Sequence, residues 1–230
     1  MKQLLFVLIL IFSIPAYAER PISHQLGDAW FYGDYDGFVA IVEENKLTTD
    51  YRAPMGRFQW SMMHILTYSD VKNMKYTQSH KEIFNYLIRS GFDPNAFAID
   101  TENPNRAGAG KPPAAFLGPV QDDSLIRWMV DAGVKLEQVY RGRGNMNTLF
   151  RDIVMNEGEF IEGPGVLTKF FLESGYDPSD GGTCNAFRAL TRSRRFIGPT
   201  YRKFHDIFFE YGFAYSDCNL VSIPPLGLFD

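Results

Sequence analysis

The sequence predicts an all-α fold, a helical-hairpin repeat solenoid with about five repeats and enlarged loops. Two recurring patterns support this fold class. A pair of apolar residues followed by a glycine stop occurs four times along the chain, and a phenylalanine shortly before Gly-Pro occurs three times between those copies. With 45% hydrophobic residues and 20 Phe, the chain also carries enough apolar side chains for a packed core, which excludes intrinsic disorder.

Residues 1–18 have the layout of a secretory signal peptide. Lys2 precedes an apolar run, Pro15 breaks that run, and a small-x-small cleavage site ends at Ala18. The run is shorter than the roughly 20 residues that a membrane-spanning helix needs. We therefore expect cleavage after Ala18 and export to a bacterial periplasm. Residues 19–230 are predicted to form one repeat domain with no integral membrane segment.

Each glycine pattern predicts a helix that ends in a left-handed residue, a conformation that Gly and Asn adopt most readily. The third and fourth residues before the stop are apolar, and a spacing of four keeps the fourth and eighth residues on one helix face. A fifth, weaker copy has asparagine at the stop. The predicted stop residues are Asn45, Gly91, Gly133, Gly175 and Gly212.

A shorter helix is predicted before each of these helices. The candidate cores are residues 29–32, 61–67, 114–117, 148–155 and 185–191. The repeats then cover approximately residues 26–57, 58–97, 111–140, 146–181 and 183–217, with a C-terminal cap at 218–230. In this scheme the abundant Phe side chains lie on the apolar helix faces and in the Gly-Pro turns, where they pack between repeats.

These repeats resemble the ankyrin-repeat family, in a degenerate form of the exported bacterial type. The segment SMMHIL at 61–66 stands where that family has T-P-L-H, and GFDPN at 91–95 stands where it has G-A-D-x-N. The glycine spacing exceeds the family's repeat of about 33 residues, so the turns are expected to be enlarged. The resemblance implies that His64 is a structural hydrogen-bonding residue that braces neighbouring loops.

Two elongated loops, residues 97–113 and 138–147, lie where ankyrin-type proteins contact their partners. Long loops on a rigid scaffold commonly carry recognition. We predict a binding edge of mixed charge with an aromatic anchor, and a plain solvated connection is the alternative for each loop. The candidate partner-binding residues are Asn105, Arg106, Lys111, Tyr140, Arg141, Arg143 and Asn145.

The search for catalytic chemistry finds no nucleophile elbow, zinc helix or phosphate-binding loop. Four scattered His and two Cys predict no metal site, and no cofactor is expected. A formal net charge of −4 argues against nucleic acid as a partner. Cys184 and Cys218 are candidates for a disulfide in an oxidising compartment. Equivalent sites of regularly stacked repeats would lie too far apart to bridge, so both alternatives stay open.

The sequence therefore favours a non-enzymatic periplasmic module that binds a protein and is monomeric when free. Small exported proteins of ankyrin type resemble immunity proteins, so the narrower prediction is an immunity or inhibitor protein that binds and occludes a toxin or effector. Two alternatives are retained. One is an accessory partner of a periplasmic enzyme such as an oxidative-stress enzyme, and the other is a hydrolase with His64 in its site.

Overall fold

A computed structural model of the chain describes residues 20–68, 74–103, 109–117, 122–137, 139–142, 145–158, 165–175 and 206–212. The helices are α1 (Ile22–Tyr32), α2 (Tyr35–Glu44), α3 (Met62–Tyr68), α4 (Gln78–Arg89), α5 (Ser124–Asp131), α6 (Leu149–Gly158) and α7 (Val166–Glu173). A 3₁₀ helix covers Pro113–Phe116, and residues 206–210 are helical. The strands are β1 (Arg52–Met55), β2 (Phe58–Ser61), β3 (Ile99–Asp100), β4 (Val139–Gly142) and β5 (Asn145–Thr148).

The prediction of an all-α helical-hairpin repeat solenoid is wrong, because the fold is mixed. Strands β1, β2 and β3 form an antiparallel sheet in that order, and β4 pairs with β5 in a second hairpin. The strands lie between the predicted helices, where a search for helical spacing finds no pattern. In β1 and β2 neighbouring residues alternate between the two sides of the sheet: Ala53 and Trp60 are buried, whereas Pro54 and Gln59 are exposed.

Helices α1 and α2 are joined by a turn that only glycine fits. Gly33 has φ +64°, and its amide donates to the carbonyl of Trp30. A Cβ at this position would lie 2.9 Å from Cε1 of His80 on α4. The turn is therefore closed by the neighbouring helix as well as by backbone geometry. At the start of α2, the Asp34 carboxylate accepts a hydrogen bond from the Gly37 amide and caps the helix.

The glycine stops end helices as the pattern predicts, with φ between +84° and +98°. The glycines with these left-handed angles are Gly91, Gly133, Gly175 and Gly212. After α4, the Gly91 amide donates to Ile88 and the Phe92 amide to Leu87, the paired bonds that close a helix C-terminus.

The fifth copy is shifted by one residue from the predicted register. Asn45 has φ −88° and its side chain donates to the Ile41 carbonyl, whereas Lys46 has φ +51° and is the left-handed residue. The amides of Lys46 and Leu47 donate to Glu43 and Val42, the same pair of bonds as at Gly91. The sequence predicts the stop at Asn45 because Asn is the more usual left-handed residue, but the lysine that follows adopts this conformation.

With this register, the residue four positions before the left-handed one is buried in all five copies. These residues are Val42, Leu87, Met129, Phe171 and Phe208. Aromatic rings connect the last helices: Phe150 on α6 lies 5.4 Å from Phe171 and 6.0 Å from Phe208, measured between ring centroids. The prediction that Phe lies on the apolar helix faces is confirmed for Phe171 and Phe208, while Phe209 is 40% exposed. Among the described residues, none of the helices is both long and apolar enough to cross a bilayer.

Candidate functional site: the two hairpins

We use the name first hairpin for strands β1, β2 and β3, which form one antiparallel sheet. Backbone hydrogen bonds extend this sheet beyond β3. Gln59 of β2 pairs with Ile99 of β3. On the far side of that segment, the Ala98 amide donates to the Lys111 carbonyl and the Gly110 amide donates to the Ala98 carbonyl. The backbone around Ala98 is thus bonded on both sides, which holds an otherwise irregular loop in a sheet-like position.

The outward side of this sheet carries an exposed apolar strip. Pro54, Gln59 and Ile99 are register partners across β1, β2 and β3, so their side chains share one face. Phe97 lies two residues before Ile99 on the same segment, and these two side chains are 47% and 42% exposed. The opposite side of the sheet buries Ala53 and Trp60 against the core. We call Pro54, Gln59, Ile99 and Phe97 the outer face.

Strand β1 forms an edge of this sheet among the described residues, and that edge is protected. Residues Gly56 and Arg57 connect β1 to β2, and the pair that flanks such a two-residue turn exchanges hydrogen bonds inward. In strand β1, the polar backbone groups of Arg52 and Pro54 therefore point outward. Because proline has no N–H, the middle of this edge lacks a donor for an added strand. The outer face is the accessible part of the sheet, and its edge is a poor template for strand addition.

A buried carboxylate fixes the tip of the first hairpin. Asp100 accepts hydrogen bonds from the amides of Glu102 and Asn103 and from Nε of Arg57 at 3.1 Å. Its side chain has no exposed area, whereas that of Arg57 is 33% exposed. Burial raises the pKa of Asp100, but the hydrogen bonds from Asn103, Arg57 and Glu102 outweigh it and hold the pKa below its usual value. The carboxylate therefore stays ionised and connects the turn after β3 to the β1–β2 turn.

A second buried carboxylate lies beneath the second hairpin. Asp152 of α6 accepts a hydrogen bond from the Tyr140 hydroxyl of β4 at 2.7 Å. The same oxygen, Oδ2, lies 2.5 Å from Nζ of Lys111, and Oδ1 accepts from Nη1 of Arg151 at 3.0 Å. The Lys111 ammonium also lies 5.7 Å from the ring centroid of Phe116, a cation–π distance. We call Asp152 with these three polar partners, Lys111, Tyr140 and Arg151, the Asp152 cluster.

Two of the predicted partner-binding residues, Tyr140 and Lys111, belong to this internal cluster. The interpretation of Tyr140 as an exposed aromatic anchor is wrong, because the residue is 3% exposed and its hydroxyl is bonded to Asp152. Burial and the negative charge of Asp152 both raise the pKa of Tyr140, so the phenol keeps its proton. Lys111 is brought to the same carboxylate, with its side chain 21% exposed. Both residues bind the same buried acid, which lies 12 residues after Tyr140 in the chain and much further from Lys111.

The other predicted binding residues are placed less fully. Arg141 and Asn145 belong by backbone to β4 and β5. Asn105, Arg106 and Arg143 lie outside the described residues, as do residues 1–18 and both cysteines, Cys184 and Cys218.

Sequence reasoning missed the outer face and Asp152. A period-two pattern around Gly56, read as a hairpin, would have indicated the face. No local signal marks Asp152, because Lys111 and Tyr140, which meet on its Oδ2, come from other elements.

His64 is a bracing residue in this arrangement. Its Nδ1 accepts hydrogen bonds from the Ser61 amide at 3.2 Å and from the Ser61 hydroxyl at 2.7 Å. Two donors at Nδ1 assign the ring proton to Nε2, which donates to the Lys111 carbonyl at 3.1 Å. The residue has no exposed area, and the rings of Trp60 and Phe116 lie within 6 Å. Burial lowers the pKa of His64 to about 4, so the imidazole is neutral at neutral pH.

The chain uses the same local motif a second time at the start of α4. The Thr77 amide and hydroxyl lie 3.0 and 2.7 Å from Nδ1 of His80, which forms a capping box. The His80 ring packs edge-on against Trp30 of α1 at 5.0 Å between centroids. Burial lowers its pKa as well. The two histidines thus cap α3 and α4, and each connects its helix to a neighbouring segment.

Glu157, the third buried acid among the described residues, caps a helix. Its carboxylate accepts hydrogen bonds from the amides of Leu167 and Thr168 at the start of α7 and from the Thr168 hydroxyl. An acid at a helix N-terminus is stabilised by the helix dipole and the free amides. Within the part of the chain that the structure describes, no three His, Cys, Asp or Glu side chains come together as a metal site would require.

A scan against protein-family models finds no family that matches this chain, and a search of the curated proteins finds no match either.

Proposed function

We propose that this chain is a non-enzymatic module, exported to the periplasm, that binds a protein partner through the outer face of its first hairpin. The observation that carries the proposal is the exposure of Phe97 and Ile99, at 47% and 42%, on a sheet whose other side is buried in the core. Adjacent apolar side chains held on a rigid scaffold are typical of recognition surfaces. Their backbone is fixed through Ala98, so little ordering is needed on binding.

The protected edge favours a folded partner over an extended peptide. A peptide that added a strand to β1 would meet Pro54, which offers no amide hydrogen. A partner that packs its own apolar side chains onto Ile99 and Phe97 meets no such obstacle. Arg57 and Glu102, an ion pair at 3.7 Å beside the face, supply a polar rim of both signs.

The narrower proposal remains an immunity or inhibitor protein that occludes a toxin or effector, with the sequence resemblance to exported proteins of ankyrin type as its main support. An accessory partner of a periplasmic enzyme uses the same face and is the alternative. The hydrolase alternative loses its support, because His64 is fully buried and both of its ring nitrogens are engaged by Ser61 and Lys111. A base in that position has no route to a substrate.

The test is site-specific photo-crosslinking followed by reconstitution. A photoreactive phenylalanine analogue replaces Ile99 in one protein and Tyr32 in another. Tyr32 is the matched control, because it is 78% exposed and packs edge-on against Phe31 in a separate apolar patch. We expect one periplasmic protein to crosslink from position 99 and not from position 32. Equal crosslinking from both positions, or crosslinking from position 32 alone, contradicts the proposed face.

Reconstitution distinguishes the two functions within the binding class. The captured protein is purified and its own activity is measured with and without a stoichiometric amount of this chain. Loss of that activity indicates an inhibitor or immunity protein. Retained activity with a higher thermal midpoint indicates an accessory partner, because a ligand that binds only the native state stabilises it.

A further inference from the structure

The Asp152 cluster joins three segments that are separate in sequence. Lys111 ends the ladder of the first hairpin, since its carbonyl accepts from Ala98 and from His64 Nε2. Tyr140 belongs to β4 of the second hairpin, and Asp152 belongs to α6. The ammonium of Lys111 and the hydroxyl of Tyr140 meet on the same oxygen, Oδ2 of Asp152.

We infer that the buried Asp152 carboxylate is a clamp that couples the two hairpins through Lys111 and Tyr140, so that loss of the contact made by either residue alters the stability of the hairpin that carries the other. A buried carboxylate needs its hydrogen-bond partners, because an ionised oxygen with no partner in the protein interior is costly. If the Tyr140 hydroxyl is removed, Oδ2 of Asp152 loses one of the two groups that orient it. The Lys111 ammonium, which contacts the same oxygen, is then positioned less firmly. The converse holds for withdrawal of Lys111.

Helix α6 gives the clamp a firm base. Asn156, one turn after Asp152, donates through Nδ2 to the carbonyls of Ala115 and Leu117, each at 3.0 Å. The segment that follows Lys111 is thereby tied to the same helix that carries the carboxylate. A displacement of Lys111 is therefore expected to displace α6 and β4 as well, because the segment that follows Lys111 and Tyr140 of β4 are both hydrogen-bonded to α6. Coupling of this kind is reciprocal by thermodynamic necessity.

The test is native-state hydrogen exchange on three variants that each remove one contact. Tyr140→Phe deletes only the hydroxyl, Lys111→Met deletes only the ammonium, and Asp100→Asn is the matched control in the first hairpin. We expect Tyr140→Phe to accelerate exchange of the Ala98 and Gly110 amides at least about fivefold, and Lys111→Met to accelerate exchange in β4 and β5 by a similar factor. Asp100→Asn is expected to leave β4 and β5 unchanged.

Two outcomes overturn the inference. One is strictly local exchange, with Tyr140→Phe affecting β4–β5 alone and Lys111→Met affecting the Ala98–Gly110 region alone. The other is additivity, tested with the double variant Tyr140→Phe with Lys111→Met. In that case its fold-change in the equilibrium constant of unfolding equals the product of the two single-variant fold-changes. Tyr140→Phe and Lys111→Met each remove a single polar group and leave Asp152 and Arg151 in place, so both variants are expected to fold. The hydrogen-exchange measurement does not depend on any partner.

Discussion

The two hairpins each lie over one buried carboxylate, but the partners of these carboxylates differ in kind. Asp100 is bound by two backbone amides within three residues of itself and by Arg57 from the neighbouring turn. Asp152 is bound by Lys111, Tyr140 and Arg151, side chains on three different segments. The first carboxylate orders its own turn and binds one side chain of the β1–β2 turn, whereas the second binds side chains of two other elements.

This difference predicts which parts of the structure are destabilised when Asp100 or Asp152 is substituted. Loss of a turn-forming carboxylate frees two amides near the surface, where water replaces the lost hydrogen bonds. Loss of a bridging carboxylate leaves an ammonium and a phenol facing each other in a partly buried space, where water does not fully replace it. The position of the outer face depends on both carboxylates. Ile99 is next to Asp100 in the chain, and the Ala98 amide donates to the carbonyl of Lys111, whose ammonium contacts Asp152.

The largest predicted effect is that of Asp152→Ala. Removing one member of a buried charged cluster strands the others, and we expect a loss of about 3 kcal/mol in the free energy of unfolding. Urea denaturation followed by far-UV circular dichroism measures it. Asp100→Ala is the comparison, with a smaller shift of the urea midpoint expected. An equal or larger shift for Asp100→Ala would contradict the distinction between the two carboxylates.

The second prediction concerns pH and the histidine that holds Lys111. Unfolded His64 binds a proton near its ordinary pKa of about 6.5, whereas burial and nearby Arg52 keep the folded pKa at about 4. Between these values the unfolded state binds more protons, so the free energy of unfolding falls as pH falls from about 6.5 to about 4, by up to ~3 kcal/mol. Above pH 6.5 this contribution is fully present.

Its control is the exposed His24. Denaturation midpoints at pH 7.5, 6.5, 5.5 and 4.5 are compared for the wild-type chain, His64→Gln and His24→Gln. The slope between pH 6.5 and 4.5 is expected to shrink in His64→Gln and to persist in His24→Gln. The same slope in all three proteins would show that His64 is not the group that resists protonation.

The third prediction separates backbone conformation from contact at the tip of the first hairpin. Gly56 has φ +61° and no atom within 4 Å of an added Cβ, so Gly56→Ala tests backbone strain alone. We expect a loss of about 1 kcal/mol. Gly27→Ala is the matched change inside α1, where the added Cβ would lie 4.0 Å from Ile65. It is expected to gain about 0.5–1 kcal/mol from helix propensity. Thermal unfolding with effects of the same sign at both sites would contradict this assignment.

The smallest predicted effect on stability is at the outer face itself. Phe97→Ser and Ile99→Ser remove side chains that are 47% and 42% exposed, so each is expected to change the free energy of unfolding by less than about 1 kcal/mol. Chemical denaturation measures the change. A loss of more than about 2 kcal/mol would place these side chains in the core of the protein and not on a surface available for binding.

The helical part of the fold was largely predictable, because its signals are local. A glycine at a left-handed helix end leaves a mark in the sequence, as at Gly91 and Gly133, and the buried residue four positions earlier repeats with it. The same rule failed by one residue at Asn45, since the chain there places a lysine in the left-handed region. The penalty at Lys46 is small enough for tertiary packing to outweigh.

The hairpins and the clamp were not predictable in the same way. Strand pairing depends on which segments the helices bring together, and β3 is only two residues long. An aromatic residue beside Arg and Gly in a loop has the composition of a binding site, so the sequence predicts an anchor at Tyr140. Its burial depends on a carboxylate of the following helix, and no local pattern indicates which loop residue a buried acid will attract.

The most direct test of the proposed binding face is a titration of the partner captured at position 99 against two double variants of similar chemistry. Phe97→Ser with Ile99→Ser alters the outer face, and Phe31→Ser with Tyr32→Ser alters the exposed aromatic pair at the end of α1. Isothermal calorimetry is expected to show at least about tenfold weaker binding for the first variant and wild-type affinity for the second. Unchanged affinity in the Phe97–Ile99 variant, or a loss confined to the Phe31–Tyr32 variant, would contradict the proposed binding face.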